Sequence, residues 1–159
     1  MRARETLDIW PPLPIVLWQH DHLAWDMDNI MAALEHNDRV CEIKFWDASS
    51  SQLEKVLAAM QEPFPALTSL LLRPGNEIAQ VIPNSFLGRS APRLQVLTLY
   101  NIAFLGLRKL ISSATHLVEL ELWSVPHSGY ISPEAIVTCL SALTKLETLR
   151  LKFQSPLSS

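Results

Sequence analysis

The chain has 159 residues, 48% of them hydrophobic and 18% charged, which is the makeup of one folded domain and excludes a disordered tail. A net charge of −3 with scattered Lys and Arg excludes the basic footprint of a nucleic-acid binder. No apolar run approaches the ~18 residues of a membrane span, and two distant cysteines, Cys41 and Cys139, supply neither a disulfide framework nor a zinc ribbon.

In chain order, residues 1–12 form a lead-in. Arg2 and Arg4 precede an apolar stretch, but Asp8, Pro11, Pro12 and Pro14 interrupt it before a signal-peptide core forms. There is no Asn-x-Ser/Thr acceptor either, so the expected location is intracellular, cytoplasmic or nuclear. From Leu13 onward the pattern apolar-x-x-apolar-x-apolar recurs: Leu13, Val16, Trp18; Val40, Ile43, Phe45; Leu67, Leu70, Leu72; Leu94, Leu97, Leu99; Leu117, Leu120, Leu122; Leu146, Leu149, Leu151. The starts lie 27, 27, 27, 23 and 29 residues apart, inside the ~20–29 range of leucine-rich repeats. All eighteen positions are apolar, where composition alone would fill about half.

Each pattern predicts a short strand with its last two apolar residues on one face. The strands are centred near Val16, Ile43, Leu70, Leu97, Leu120 and Leu149. Between them, Asp28 opens a helix over Asn29 to His36. Ser51 and Glu54 form a capping box ahead of a helix over Gln52 to Gln61. Asn76 to Gly88 is expected to be irregular or part-helical, because Pro83 breaks its middle. Phe104 to Ser113 carries one or two helical turns. Ser132, Pro133 and Glu134 supply an N-cap, a first-turn proline and an acid on the positive dipole end of a helix over Pro133 to Leu143.

Strand and helix alternating at this period also suit an open doubly wound sheet, but two features count against it. The four glycines, Gly75, Gly88, Gly106 and Gly129, make no phosphate-cradling loop. Strands buried on both faces would read as continuous apolar runs, whereas Glu119-Leu120-Glu121-Leu122 alternates. The expected fold is α/β, a leucine-rich-repeat solenoid over residues 13–153. About six parallel strands form its concave face, helices or irregular turns its convex face, and 154–159 a tail. Neither end shows an obvious cap, which predicts a shortened longer product or ends met by partners.

The segments Leu7-Asp8-Ile9-Trp10-Pro11-Pro12-Leu13-Pro14, Ala91-Pro92-Arg93-Leu94, Ala114-Thr115-His116-Leu117 and Pro126-His127-Ser128-Gly129-Tyr130-Ile131-Ser132-Pro133-Glu134-Ala135 resemble the leucine-rich-repeat region of F-box proteins abundant in mushroom-forming fungi. The resemblance runs over nearly the whole chain and is most specific in the last segment. It implies the substrate-recognition repeats of a ubiquitin ligase receptor, whose F-box would dock on the Skp-type adaptor of a cullin ligase. No Leu-Pro-x-Glu-type F-box cluster precedes the first repeat, so an adaptor is an expected partner only where an F-box lies upstream. The Asn common at the ninth repeat position is replaced by Ala48, Gly75, Ile102 and Val125. A stand-alone repeat scaffold or inhibitor is the alternative.

No catalytic constellation emerges, and no enzyme activity, cofactor or metal is expected. His20-Asp21-His22 lacks a third ligand at suitable spacing. His127 and Ser128 lack an orienting acid. Cys139 sits among Ile136, Val137 and Leu140 as an inert core thiol. Trp10, Trp18 and Trp25 are expected to plug the N-terminal end.

The expected partner is a protein, with no nucleic acid and no membrane, bound on the concave face. The column that follows the third inward position reads Gln19, Trp46, Arg73, Tyr100, Trp123 and Lys152. Aromatics and Arg dominate binding hot spots, so Trp46, Arg73, Tyr100 and Trp123 are the expected patch. Beside it runs a mixed-charge strip of Lys44, Leu71, Thr98, Glu121 and Arg150. The competing expectation is that Trp46 and Trp123 fold over the strand ends into the core.

Overall fold

Leucine alternating with polar residues requires strands whose side chains point in turn to opposite faces. The computed structural model describes residues 12–20, 26–75 and 79–154 and forms a strand at every expected centre. In chain order the elements are β1 (Ile15–Gln19), α1 (Met27–Leu34), β2 (Val40–Ala48), α2 (Ser50–Ala59), β3 (Ser69–Pro74), β4 (Gln80–Ile82), β5 (Val96–Tyr100), β6 (Ile102–Phe104), α3 (Leu107–Ser113), β7 (Glu119–Val125), α4 (Pro133–Leu140) and β8 (Thr148–Phe153). The main sheet has the order β1-β2-β3-β5-β7-β8, and every pairing in it is parallel. β4 and β6 make a second, two-stranded parallel sheet. The fold is therefore α/β, with a six-stranded all-parallel sheet and, among the described residues, four α-helices. Strands sit side by side in the order in which the chain makes them.

Register stacks like on like. Ile43, Leu70, Leu97, Leu120 and Leu149 stand opposite one another, as do Phe45, Leu72, Leu99, Leu122 and Leu151. Apart from Leu149, these rows share one core with Ile30, Leu34, Leu53, Val56, Leu57, Leu110 and Ile111 of α1 to α3. Each fully buried leucine contributes about 1.5–3 kcal/mol. Burial fades at β8, the outer strand, where Leu149 is 41% exposed and α4 holds no fully buried side chain.

β1 corrects the expected register. Leu13, Val16 and Trp18 do not face the core; each is at least half exposed, while Ile15 is buried and Leu17 packs against the core. A bulge places Ile15 opposite Val40 and Val16 opposite Glu42, with Cys41 skipped. Because side chains alternate with a period of two, a one-residue slip turns the whole strand over.

The helix starts are corrected as well. Ser49, not Ser51, caps α2: its hydroxyl accepts the Gln52 N–H at 3.2 Å, and Gln52 Oε1 accepts the Ser49 N–H at 2.9 Å. The chain leaves β2 at Ala48, so Ser49 is the first residue free to take non-helical cap geometry. In α1 the cap is Asp26, which accepts the Asn29 N–H at 3.2 Å, and Asp28 falls within the first turn. α3 begins only at Leu107, because Phe104 belongs to β6, and α4 stops at Leu140.

Within Asn76 to Gly88, residues 76–78 lie outside the described set, and Gln80–Ile82 is a strand rather than irregular backbone. It pairs in register with Ile102–Phe104 and ends at Pro83, which has no N–H to extend a ladder. A 3₁₀ turn follows over Phe86–Arg89, with Leu87, Gly88 and Arg89 at φ of 56°, 61° and 64°. The Leu87 and Gly88 N–H groups donate to the Met60 and Gln61 carbonyls at 2.7 and 3.0 Å, which ties the turn to the end of α2. A Cβ on Gly88 would lie 2.8 Å from the Pro63 ring. Among the described residues no helix is long and apolar enough to cross a membrane.

Candidate functional site: the outward face of the parallel sheet

The residues between the inward leucines project from the face opposite the helices, and parallel register gathers them into rows. The first row, nearest the strand starts, is Val16, Glu42, Ser69, Val96, Glu119 and Thr148. The second is Trp18, Lys44, Leu71, Thr98, Glu121 and Arg150. At the strand ends Tyr100 stands opposite Trp123; Trp46, Arg73 and Lys152 continue the outward alternation of their strands to make a third row, with the register shifting beside it between β2 and β3 and between β7 and β8.

This third row is a set of ring stacks. His20 lies flat on Trp46, with ring centroids 4.1 Å apart and planes 5° from parallel. Tyr100 and Trp123, paired across β5 and β7, stack with centroids 6.1 Å apart and planes 11° from parallel. The Arg73 guanidinium lies 5.3 Å from the Tyr100 centroid, a cation–π contact worth about 0.5–1 kcal/mol at an exposed site. Offset aromatic pairs of this kind are worth a similar ~0.5–1.5 kcal/mol beyond their buried area.

Local backbone places the rings at the rim. Asp47, Asn101 and Ser124, each directly after Trp46, Tyr100 or Trp123, have φ of 56°, 51° and 51°. That left-handed residue ends the outward alternation. The next residue, Ala48, Ile102 or Val125, is buried. These three residues add apolar surface to the core.

Ion pairs organise the neighbouring rows. Glu121 accepts the Trp123 indole N–H at 2.9 Å and meets Arg150 at 3.4 Å. Lys44 pairs with Glu42 at 2.7 Å and stands 5.0 Å from the Trp18 centroid. Such exposed pairs are worth only about 0.2–1 kcal/mol. Their effect is to hold rotamers on the open face.

Of the expected patch, the structure joins Arg73, Tyr100, Trp123, Glu121 and Arg150 in one linked cluster. Trp46 and Lys44 belong to two separate contacts nearer β1. Trp46 and Trp123 are each half-buried, and neither enters the core cluster; both are covered by stacking on outward neighbours. Gln19 is corrected out of the column. It stands opposite Phe45, and the β1 slip brings His20 against Trp46 in its place. Trp18 is likewise a member of the outward face rather than an end plug, and Trp10 and Trp25 lie outside the described residues. The missed pair Trp18 and His20 had a signal, since Ile15 and Leu17 offer a second inward phase.

Elsewhere the features are plainer. Asp21 and His22 lie outside the described residues. His127 and Ser128 are exposed in a single 3₁₀ turn. Cys139 is part-buried at the edge of a cleft of about 640 Å³ that Arg89, Arg108 and Lys109 also line. Among the described residues no three His, Cys, Asp or Glu side chains gather as metal ligands. Comparison with protein-family models, with curated proteins and with solved structures found no match to this chain.

Proposed function

We propose that the chain is a protein–protein interaction module, a leucine-rich-repeat solenoid whose concave sheet face captures a partner while the helices form its convex back. The observation that carries this is the Arg73–Tyr100–Trp123 stack, presented on the face away from the helices. Large rings and Arg contribute most when a partner excludes water from them, and two half-covered rings on an open sheet add little to folding. Strands that follow one another in sequence order at a spacing of 23 to 29 residues are what stacked repeats produce.

The partner is a protein rather than nucleic acid or membrane, and the chain acts by binding alone, without cofactor or catalysis. From its resemblance to fungal F-box proteins, the module serves as the substrate-recognition repeats of a ubiquitin ligase receptor. That role requires an F-box in frame ahead of Met1. Sequencing the transcript tests it: an in-frame F-box supports the ligase role, and a start codon preceded by untranslated sequence supports a stand-alone scaffold or inhibitor.

The face itself is tested with a photo-crosslinking amino acid placed at Tyr100 or, on the helix side, at the exposed Val137. Cross-linking to one discrete protein from position 100 and not from position 137 is expected. The opposite pattern contradicts the assignment.

A further inference from the structure

The third row carries its charge in one sign at the β3–β8 end. Arg73 and Lys152 are exposed, and neither makes an ion pair with a described residue. They flank the Tyr100–Trp123 stack on either side, in a chain whose net charge is −3. The nearest carboxylate in the second row, Glu121, is already engaged by Trp123 and Arg150. Glu42 and Glu119 stand in the first row, at the far end of the strands. Glu42 is paired with Lys44, and the exposed Asp47 at the end of β2 makes no ion pair with Arg73, so Arg73 and Lys152 remain unneutralised cations beside the ring stack.

Resting on the reading of this face as the binding surface, we propose that its partner is an acidic extended segment of a protein, with two carboxylates four residues apart and an apolar residue midway between them. From β3 to β8 the row crosses three strand spacings, roughly 14 Å at ~4.8 Å each. An extended chain rising ~3.3 Å per residue covers that distance in about four residues. Its period of two then turns residues i, i+2 and i+4 to the same side. The outer two carboxylates meet the Arg73 guanidinium and the Lys152 ammonium, and the middle side chain packs on the rings. Guanidinium N–H groups at the edge of a stacked Arg remain available to a carboxylate. The two exposed cations at the ends of β3 and β8 fix where an acidic segment sits.

The probe is a fluorescein-labelled Gly-Glu-Ser-Leu-Ser-Glu-Gly peptide, titrated with the full chain by fluorescence anisotropy at low and high salt. Controls carry Gln or Lys in place of both Glu. The Glu peptide is expected to bind at least about tenfold more tightly than the Gln peptide, to weaken with added salt, and to lose its advantage to the Lys peptide in the Arg73→Glu/Lys152→Glu variant, whose folding is checked by circular dichroism. Equal binding of Glu and Gln peptides, an unchanged preference in the double variant, or no binding of the Glu peptide up to about 1 mM overturns the proposal. A displayed random heptapeptide library separates this failure from failure of the face itself. Enriched non-acidic peptides that lose binding on Tyr100→Ala/Trp123→Ala keep the face and overturn the acidic partner. Enriched peptides indifferent to that substitution overturn the face.

Discussion

The Trp123 indole donates to Glu121 across 2.9 Å, from two residues further along the same strand. A bond between residues i and i+2 can form only because both project from one face of β7, and it joins the aromatic row to the charged one. Through Glu121, Trp123 is coupled to Arg150 on β8 as well. Glu121→Ala should therefore loosen the Tyr100–Trp123 stack. The expected loss of stability is about 0.5–1.5 kcal/mol, with a diminished near-ultraviolet circular dichroism signal. An unchanged aromatic signal would mean that the indole is held by packing alone.

The core has a centre and a weak end. Leu97 is 1% exposed between Leu70 and Leu120, so Leu97→Ala should cost about 2–5 kcal/mol. Leu149 occupies the same row on the outer strand but is 41% exposed, and Leu149→Ala should cost well under half as much. Urea denaturation of both variants checks the order, and equal losses would refute a core that thins toward β8.

Ser49 and Ser51 make a paired test of the α2 start. Ser49→Ala removes the hydroxyl that accepts the Gln52 N–H and should cost about 1 kcal/mol. Ser51→Ala, within the first turn, should change stability by less than about 0.5 kcal/mol. The reverse order in thermal or urea unfolding would place the cap where spacing alone first suggested it.

Gly88 combines a φ of 61° with a Cβ position 2.8 Å from the Pro63 ring. Gly88→Ala should destabilise by more than about 1 kcal/mol, since alanine meets both the left-handed backbone and the ring. Equilibrium unfolding of this variant shows whether the turn after β4 is as constrained as its hydrogen bonds to Met60 and Gln61 suggest; a neutral result would contradict that.

The inward phase of β2, β3, β5, β7 and β8 was legible because apolar residues recur there at a period of two, most clearly against the charges of Glu119-Leu120-Glu121-Leu122. β1 was not, because Leu13 to Trp18 is almost wholly apolar and either phase fills the core. The helix starts were displaced where caps compete: Ser49, Ser50 and Ser51 in one case, Asp26 and Asp28 in the other. β4 and β6 are three residues each, too short for a period to register. The composition of the third outward row, apart from its β1 member, could be read from spacing. Its stacking, and the Glu121 bond that anchors it, depend on rotamers that the order of residues does not reveal.

The most direct test of the binding face is the Tyr100→Ala/Trp123→Ala double variant, measured for partner binding and for stability in the same preparation. Binding lost with stability reduced far less than by Leu97→Ala is the expected result. Binding intact, with stability lowered by core-like amounts of about 2–5 kcal/mol, would show the two rings to be structural and contradict the interface.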